Sequence, residues 1–276
     1  MNDSPRQPPL KIWMVTPQTW NVVAQATQDQ PDQTKALEDE ASWKEILDAG
    51  IAVEVGVLDP MWKAVLTETL TASIAFRMTS TYNELAYIAD VSLGQHVTTC
   101  LTRRLSVAEL EDGSLEPTGA DPELEFVVTT PGRPWELIRR VLPPLDDLRA
   151  APRQTRVAER KEQQVDAETL MAIREGLDAP GLSPSIADAL KAKATVTLMA
   201  LVEAPGAPEG SAGIALTAWV LGEDGLYALE RKNNTACVTK VSPGDIGFTV
   251  TWLTLGGFDV LERAAREGAA RVNEEA

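Results

Sequence analysis

The sequence predicts an α+β protein, on three observations. Two stretches, Ile74–Thr130 and Thr195–Val241, consist of short strand-like runs rich in apolar and β-branched residues, separated by turn residues. Each stretch follows a helix opened by proline, at Pro60 or Pro184, and leads into a helix opened after Pro-Gly, at Pro131-Gly132 or Pro243-Gly244. Between them, Trp135, Leu137, Ile138, Val141 and Leu142 recur at the spacing of one helix face. The halves match in pattern and not in residue identity. Such a duplication implies one shared antiparallel sheet, or two sheets related by a pseudo-twofold axis, with helices gathered at either end.

In order, Leu10–Val15 reads as a strand, and Pro17 opens a helix with Thr16 as N-cap. Residues 28–40 are rich in Gln, Asp and Pro and read as a loop. Ser42 with Glu45 has the spacing of a capping box for a helix ending near Gly50. Asp59-Pro60 opens a helix over Pro60–Leu70. Strands are expected at Ile74–Met78, Leu85–Val91 and Gln95–Leu105, the last two joined by a Ser92-Leu93-Gly94 turn. Residues 107–122, acidic and containing Gly and Pro, read as an exposed loop before a strand at Glu123–Thr130. The helix from Pro134 stops at Pro143-Pro144.

A basic linker over 149–156 and a long charged helix over 157–177 follow, then a helix from Ser183-Pro184 to about Lys193. Four strands come next, at Thr195–Val202, Ile214–Leu221, Leu226–Arg231 and Ala236–Val241. Asp245 begins a helix that Gly256-Gly257 is expected to break, with a final helix over Asp259–Asn273. The expected organisation is a disordered tail over 1–9, an N-terminal half over 10–148, the linker over 149–156 and a C-terminal half over 157–276, integrated into one globular domain.

Composition narrows the function. With 41 acidic and 25 basic residues in 276, the formal charge is −16, which repels phosphate backbones and acidic membrane surfaces. The longest uncharged apolar stretch, Ile246–Phe258, is too short to span a bilayer, and the first nine residues lack the apolar core of a signal peptide. Two cysteines, Cys100 and Cys237, suggest no disulfide framework and suit a reducing, cytoplasmic compartment.

Catalytic chemistry finds little to stand on. His96 is the single histidine; with Cys100 four residues on, both would project from one face of a strand, yet zinc needs three or four protein ligands. The bland reading is a strand residue beside a buried thiol. Glu136, Asp146, Asp147 and Asp245 sit at helix ends, where a carboxylate stabilises the helix dipole, and no pair stands out as general acid and base. Gly256-Gly257 is followed by no Lys-Ser and is not a phosphate cradle. No catalytic residue, metal or cofactor is expected. Seven tryptophans and the segment Phe248–Phe258, apolar nearly all round its helix, point instead to a large core or a covered interface.

Several passages resemble the EspG family, cytosolic chaperones of the actinobacterial type VII (ESX) secretion systems. They are Gly50-Ile51 through Asp59-Pro60, the strand pair over Ala72–Val91 with its Gly94 turn, and Trp135 through Leu145 with Leu142-Pro143-Pro144. The second half adds Thr195–Ala200, Gly225-Leu226-Tyr227 and Val241-Ser242-Pro243-Gly244-Asp245. The resemblance implies a quasi-twofold fold with an antiparallel central sheet flanked by two helical bundles. It also implies a non-enzymatic chaperone that holds the hydrophobic tip of a helical PE–PPE-like secretion substrate, as a monomer or weak homodimer. Client contacts in the family fall on the sheet, on the loop between the first two long strands and on the C-terminal helices. Here these map onto a short loop at 79–84, with Thr79, Thr81 and Tyr82, and onto Leu253, Leu255 and Phe258. Two other classes stay open: a carrier of a small hydrophobic ligand or lipid, expected to show a closed apolar cavity, and an Asp/Glu-dependent hydrolase, expected to show paired carboxylates in a cleft.

Overall fold

The computed structural model describes residues 11–28, 39–110, 115–153, 162–166, 169, 182–190, 194–204, 213–232 and 235–275. The sequence expectations for 1–10, 29–38, 111–114, most of 154–181, 191–193 and 205–212 lie outside the described residues.

One antiparallel sheet organises the fold. Its strands are β1 (Lys11–Val15), β4 (Ile74–Tyr82), β5 (Leu85–Leu93), β6 (Thr98–Glu109), β7 (Leu115–Ala120), β8 (Leu124–Thr129), β9 (Glu162–Val165), β10 (Thr195–Val202), β11 (Gly213–Gly222), β12 (Gly225–Lys232) and β13 (Thr235–Val241). A small separate hairpin joins β2 (Ala52–Glu54) to β3 (Val57–Leu58). The order across the main sheet is β1-β8-β6-β5-β4-β10-β11-β12-β13-β9, with β7 added on β6. The middle pair, β4 and β10, runs antiparallel from Ile74↔Val202 to Thr81↔Thr195, and each side of that seam repeats the same outward progression. This is the quasi-twofold duplication, closed into one shared sheet.

Helices take two kinds of position. On one face, α4 (Pro134–Val141), α5 (Asp146–Arg149) and α7 (Asp245–Glu275) cover a core built on Phe76, Met78, Val91, Val196, Leu198 and Trp219. On the other face, α1 (Pro17–Thr27), α2 (Glu40–Asp48) and α3 (Pro60–Leu70) cover the β1-β8-β6 flank around Trp43, Leu66 and Phe126. At the far flank α6 (Pro184–Leu190) covers Val220, Tyr227 and Val238.

Several local expectations change, each for a physical reason. The cap of α2 is Asp39, whose carboxylate accepts from Ser42 N–H at 3.0 Å, so Ser42 sits inside the first turn. Glu45 caps a different helix: it accepts from the backbone N–H of Thr16 at 3.0 Å and from the Thr19 hydroxyl at 2.6 Å. Thr16 does cap α1, as expected. The expected strand start at Gln95 shifts to Thr98, because β5 extends through Leu93 and Gly94–Val97 makes the turn.

The expected loop at 107–122 is largely a strand pair, β6 with β7. Every residue of β7 is exposed, so backbone pairing makes it a strand without leaving an apolar alternation in the sequence. The expected helix over 157–177 is in part a strand: Glu162–Val165 pairs with β13 and buries Val165, tertiary pairing overriding local propensity, while Thr169 is helical.

Gly256-Gly257 does not break the last helix, which runs unbroken from Asp245 to Glu275. Gly257 is where that helix lies closest to the sheet: a Cβ there would sit 2.9 Å from Ile74 Cδ1 and 3.3 Å from Val202 Cγ2. The glycine serves close packing, not termination.

Candidate functional site

Because β-strand side chains alternate, the register assigns each residue of the central strands to a face. Ala75, Arg77, Thr79 and Thr81 of β4 share a face with Ile88 and Asp90 of β5, and with Thr197, Met199 and Leu201 of β10. Ile214, Leu216 and Ala218 of β11 continue it. This face lies between the two helix-covered flanks, with α6 packed against the Val220 end of β11.

Its chemistry is asymmetric about the seam. On the β10–β11 side Ile214 and Leu216 are 68% and 61% exposed, with Met199 and Leu201 half-buried beside them. Along the seam Thr81 and Thr195 share a hydroxyl hydrogen bond of 2.6 Å. On the β4–β5 side Arg77 grips Asp90 with two hydrogen bonds, Nε at 2.6 Å and a terminal nitrogen at 3.0 Å. The hydrogen bond to Asp90 holds the guanidinium still more firmly in its charged form. The surface is therefore apolar at one end, hydroxyl-lined in the middle and self-neutralised at the other.

A second apolar surface lies on the opposite side of the sheet. In α7, Ile246, Val250, Gly257 and Thr254 face the core, while Trp252 and Leu255 point outward at 62% and 60% exposure. Phe258 lies on the flank of the same helix, 46% exposed. An α-helix advances 1.5 Å per residue, so α7, at 31 residues, extends about 46 Å.

The residues implied as client contacts fall in three places. Thr79 and Thr81 lie on the open sheet face. Alternation puts Tyr82 on the opposite face with Ser80, whose hydroxyl donates to the Val141 carbonyl. Leu253 packs against the central core, and Leu255 and Phe258 are on the outer surface of α7. The expected loop at 79–84 is corrected: β4 runs to Tyr82, and Asn83-Glu84 alone make the turn, with Asn83 at φ 54°. Ile214 and Leu216 were not singled out. Their signal was available, since Ile214, Leu216 and Val220 alternate with Trp219 and Leu221 to make a strand apolar on both faces.

His96 and Cys100 do not project from one strand: only Cys100, buried as expected, lies in β6. His96 lies in the β5–β6 turn with its ring 72% exposed, and its Nδ1 lies 2.5 Å from Glu68 Oε1. Cys100 is buried in β6, where desolvation pushes its thiol up to about 11, against a lowering hydrogen bond with Thr102. Burial raises the Glu68 pKa, but hydrogen bonds from the His96 backbone and ring outweigh it and hold the carboxyl below its ordinary range. No group of three or more His, Cys, Asp or Glu among the described residues is arranged to hold a metal. No described helix is long and apolar enough to cross a membrane.

No protein-family model matches the chain, and no curated protein matches it in sequence. Among solved structures, the chain is similar to the Mycobacterium tuberculosis type VII secretion system chaperone EspG5, whose structure was determined in complex with a PE25–PPE41 dimer. The TM-score is 0.53 at 12% identity, over 89% of this chain and 96% of the other. At that identity the likeness shows the fold alone: this chain shares the α+β architecture of that structure.

Proposed function

We propose that this chain is a cytosolic chaperone or adaptor that binds the apolar tip of a helical, PE–PPE-like secretion substrate and keeps it soluble for export. The observation that carries the reading is the open sheet face, where Ile214 and Leu216 stand exposed beside Met199 and Leu201 between two helix-covered flanks. Exposed apolar area costs about 25 cal/mol per Å² in water, so covering such a face with a greasy helix tip stabilises both partners. A contact of this kind needs apolar anchors and shape, and no bond is made or broken. The formal charge of −16 keeps the loaded complex dispersed. The similar fold belongs to a chaperone whose structure was determined in complex with a PE25–PPE41 dimer, which supports the reading.

Within this reading Thr79 and Thr81 form the hydroxyl-lined middle of the contact. Leu255 and Phe258 offer a second contact on α7. Tyr82 and Leu253 act from behind, by seating the sheet and helix that carry the contact.

The test is a pair of charge insertions on exposed positions. Leu216→Asp and Ile214→Asp should leave thermal stability within about 0.5 kcal/mol of wild type, because surface changes away from special features cost little. Each should weaken binding of a co-expressed helical PE–PPE-like pair at least tenfold, since an anchoring leucine contributes about 1.5–3 kcal/mol when buried. Unchanged binding with both variants folded would remove the sheet face from the function.

A further inference from the structure

A cavity of about 330 Å³ opens beside the first strand, away from both surfaces above, and is lined by residues including Lys11, Trp62, Val65, His96, Val97 and Val128. Besides β1, which carries Lys11, three elements shape it. Helix α3 supplies Trp62 and Val65, strand β8 supplies Val128, and the β5–β6 turn supplies His96 and Val97.

That turn is fixed by an unusual seat. Glu68 reaches from α3 into it, accepting from His96 backbone N–H at 2.9 Å and pairing with the His96 ring. Position 94 must be glycine for this, because a Cβ there would lie 2.3 Å from Glu68 Oε2. The pocket's histidine is therefore held by a carboxylate that is itself locked in place.

The walls are almost wholly apolar, and the charge at the rim is a cation. Lys11 Nζ lies 5.5 Å from the centre of the Trp62 ring and donates a weak hydrogen bond to Met61 sulfur at 3.9 Å. No carboxylate among the described residues pairs with it, in a chain whose acids outnumber bases 41 to 25. An ammonium held over an aromatic floor, at the mouth of a greasy cleft, complements one kind of ligand: an apolar body that ends in a single negative charge.

We propose that this cavity binds a small hydrophobic monocarboxylate, its ring or branched chain against Trp62 and Val65 and its carboxylate at Lys11 Nζ. The size sets the class: 330 Å³ is at the small end of ligand sites and suits a compact acid better than a long acyl chain. The site is independent of client binding, since it lies on the helix-covered flank.

The experiment is calorimetric titration of the full chain with 3-phenylpropanoate and, in parallel, with 3-phenylpropan-1-ol. The acid should bind at least tenfold more tightly than the alcohol, and in Lys11→Met, an exposed substitution that keeps the apolar stem, that ratio should fall to about one. Equal affinities in wild type, no binding of the acid up to about 10 mM, or a preference that survives Lys11→Met would each overturn the proposal. A peptide ending in phenylalanine is the discriminating arm. If it binds more tightly than the free acid, the ligand is a chain terminus and the small-molecule assignment fails.

Discussion

Gly256 and Gly257 are adjacent in α7 and should respond oppositely to the same substitution. Replacing glycine by alanine inside a helix gains about 1 kcal/mol from restricted backbone freedom alone. At Gly256 nothing lies within 4 Å of the added methyl, so Gly256→Ala should keep that gain. At Gly257 the methyl would stand 2.9 Å from Ile74 Cδ1, and Ile74 is 1% exposed in a filled core. Its side chain can give way only by displacing neighbours, and overpacking of this kind costs about 1–3 kcal/mol. The propensity gain is common to both variants and cancels in their difference, which should equal the overpacking cost. For a chain of this size each kcal/mol shifts Tm by about 2–4 °C, so thermal melting resolves the pair. The expected order is Gly256→Ala above wild type and Gly257→Ala well below Gly256→Ala. Equal increases would mean that α7 does not seat on Ile74 and Val202. A decrease at both would mean the helix breaks at the glycine pair.

Other outcomes follow from single contacts. Glu45→Ala removes the acceptor for Thr16 N–H and the Thr19 hydroxyl, and urea unfolding should show a loss of about 1–2 kcal/mol. Cys100, with its pKa near 11, is about one-thousandth thiolate at pH 8, so native protein should resist iodoacetamide at this site while unfolded protein labels readily. Glu68 has a folded pKa below the ordinary carboxyl value of 4.5, so its ionised form stabilises the fold above that pH, and this contribution is lost as pH falls through the folded pKa. Melting wild type and Glu68→Gln from pH 6 to pH 3 should show the steeper acid loss in wild type; parallel curves would contradict the role assigned to the His96 contact.

The backbone plan was legible where the sequence alternates cleanly. Strands β10 to β13 and the proline-opened helices α1, α3, α4 and α6 begin close to where turn residues and N-caps place them, because those signals act through local hydrogen bonds and fixed dihedrals. What escaped depends on distant partners. Glu162–Val165 carries no strand pattern and becomes one by pairing with β13. Gly256-Gly257 reads as a break until Ile74 and Val202 are seen beneath it. Thr79–Tyr82 reads as a loop until β10 is seen alongside. The candidate site was hidden for the same reason. A strand apolar on both faces implies two covered faces, and only the sheet order shows that α6 covers Val220 while leaving Ile214 and Leu216 open.

A photocrosslinking amino acid placed at position 216 tests the central claim most directly, with position 118 of the exposed strand β7 as control, in cells co-expressing a helical PE–PPE-like pair. Crosslinks to the pair from 216 and none from 118 are the expected result. Crosslinks from 118 alone, or from neither position while the pair still co-purifies, would place the client elsewhere and contradict a sheet-borne chaperone site.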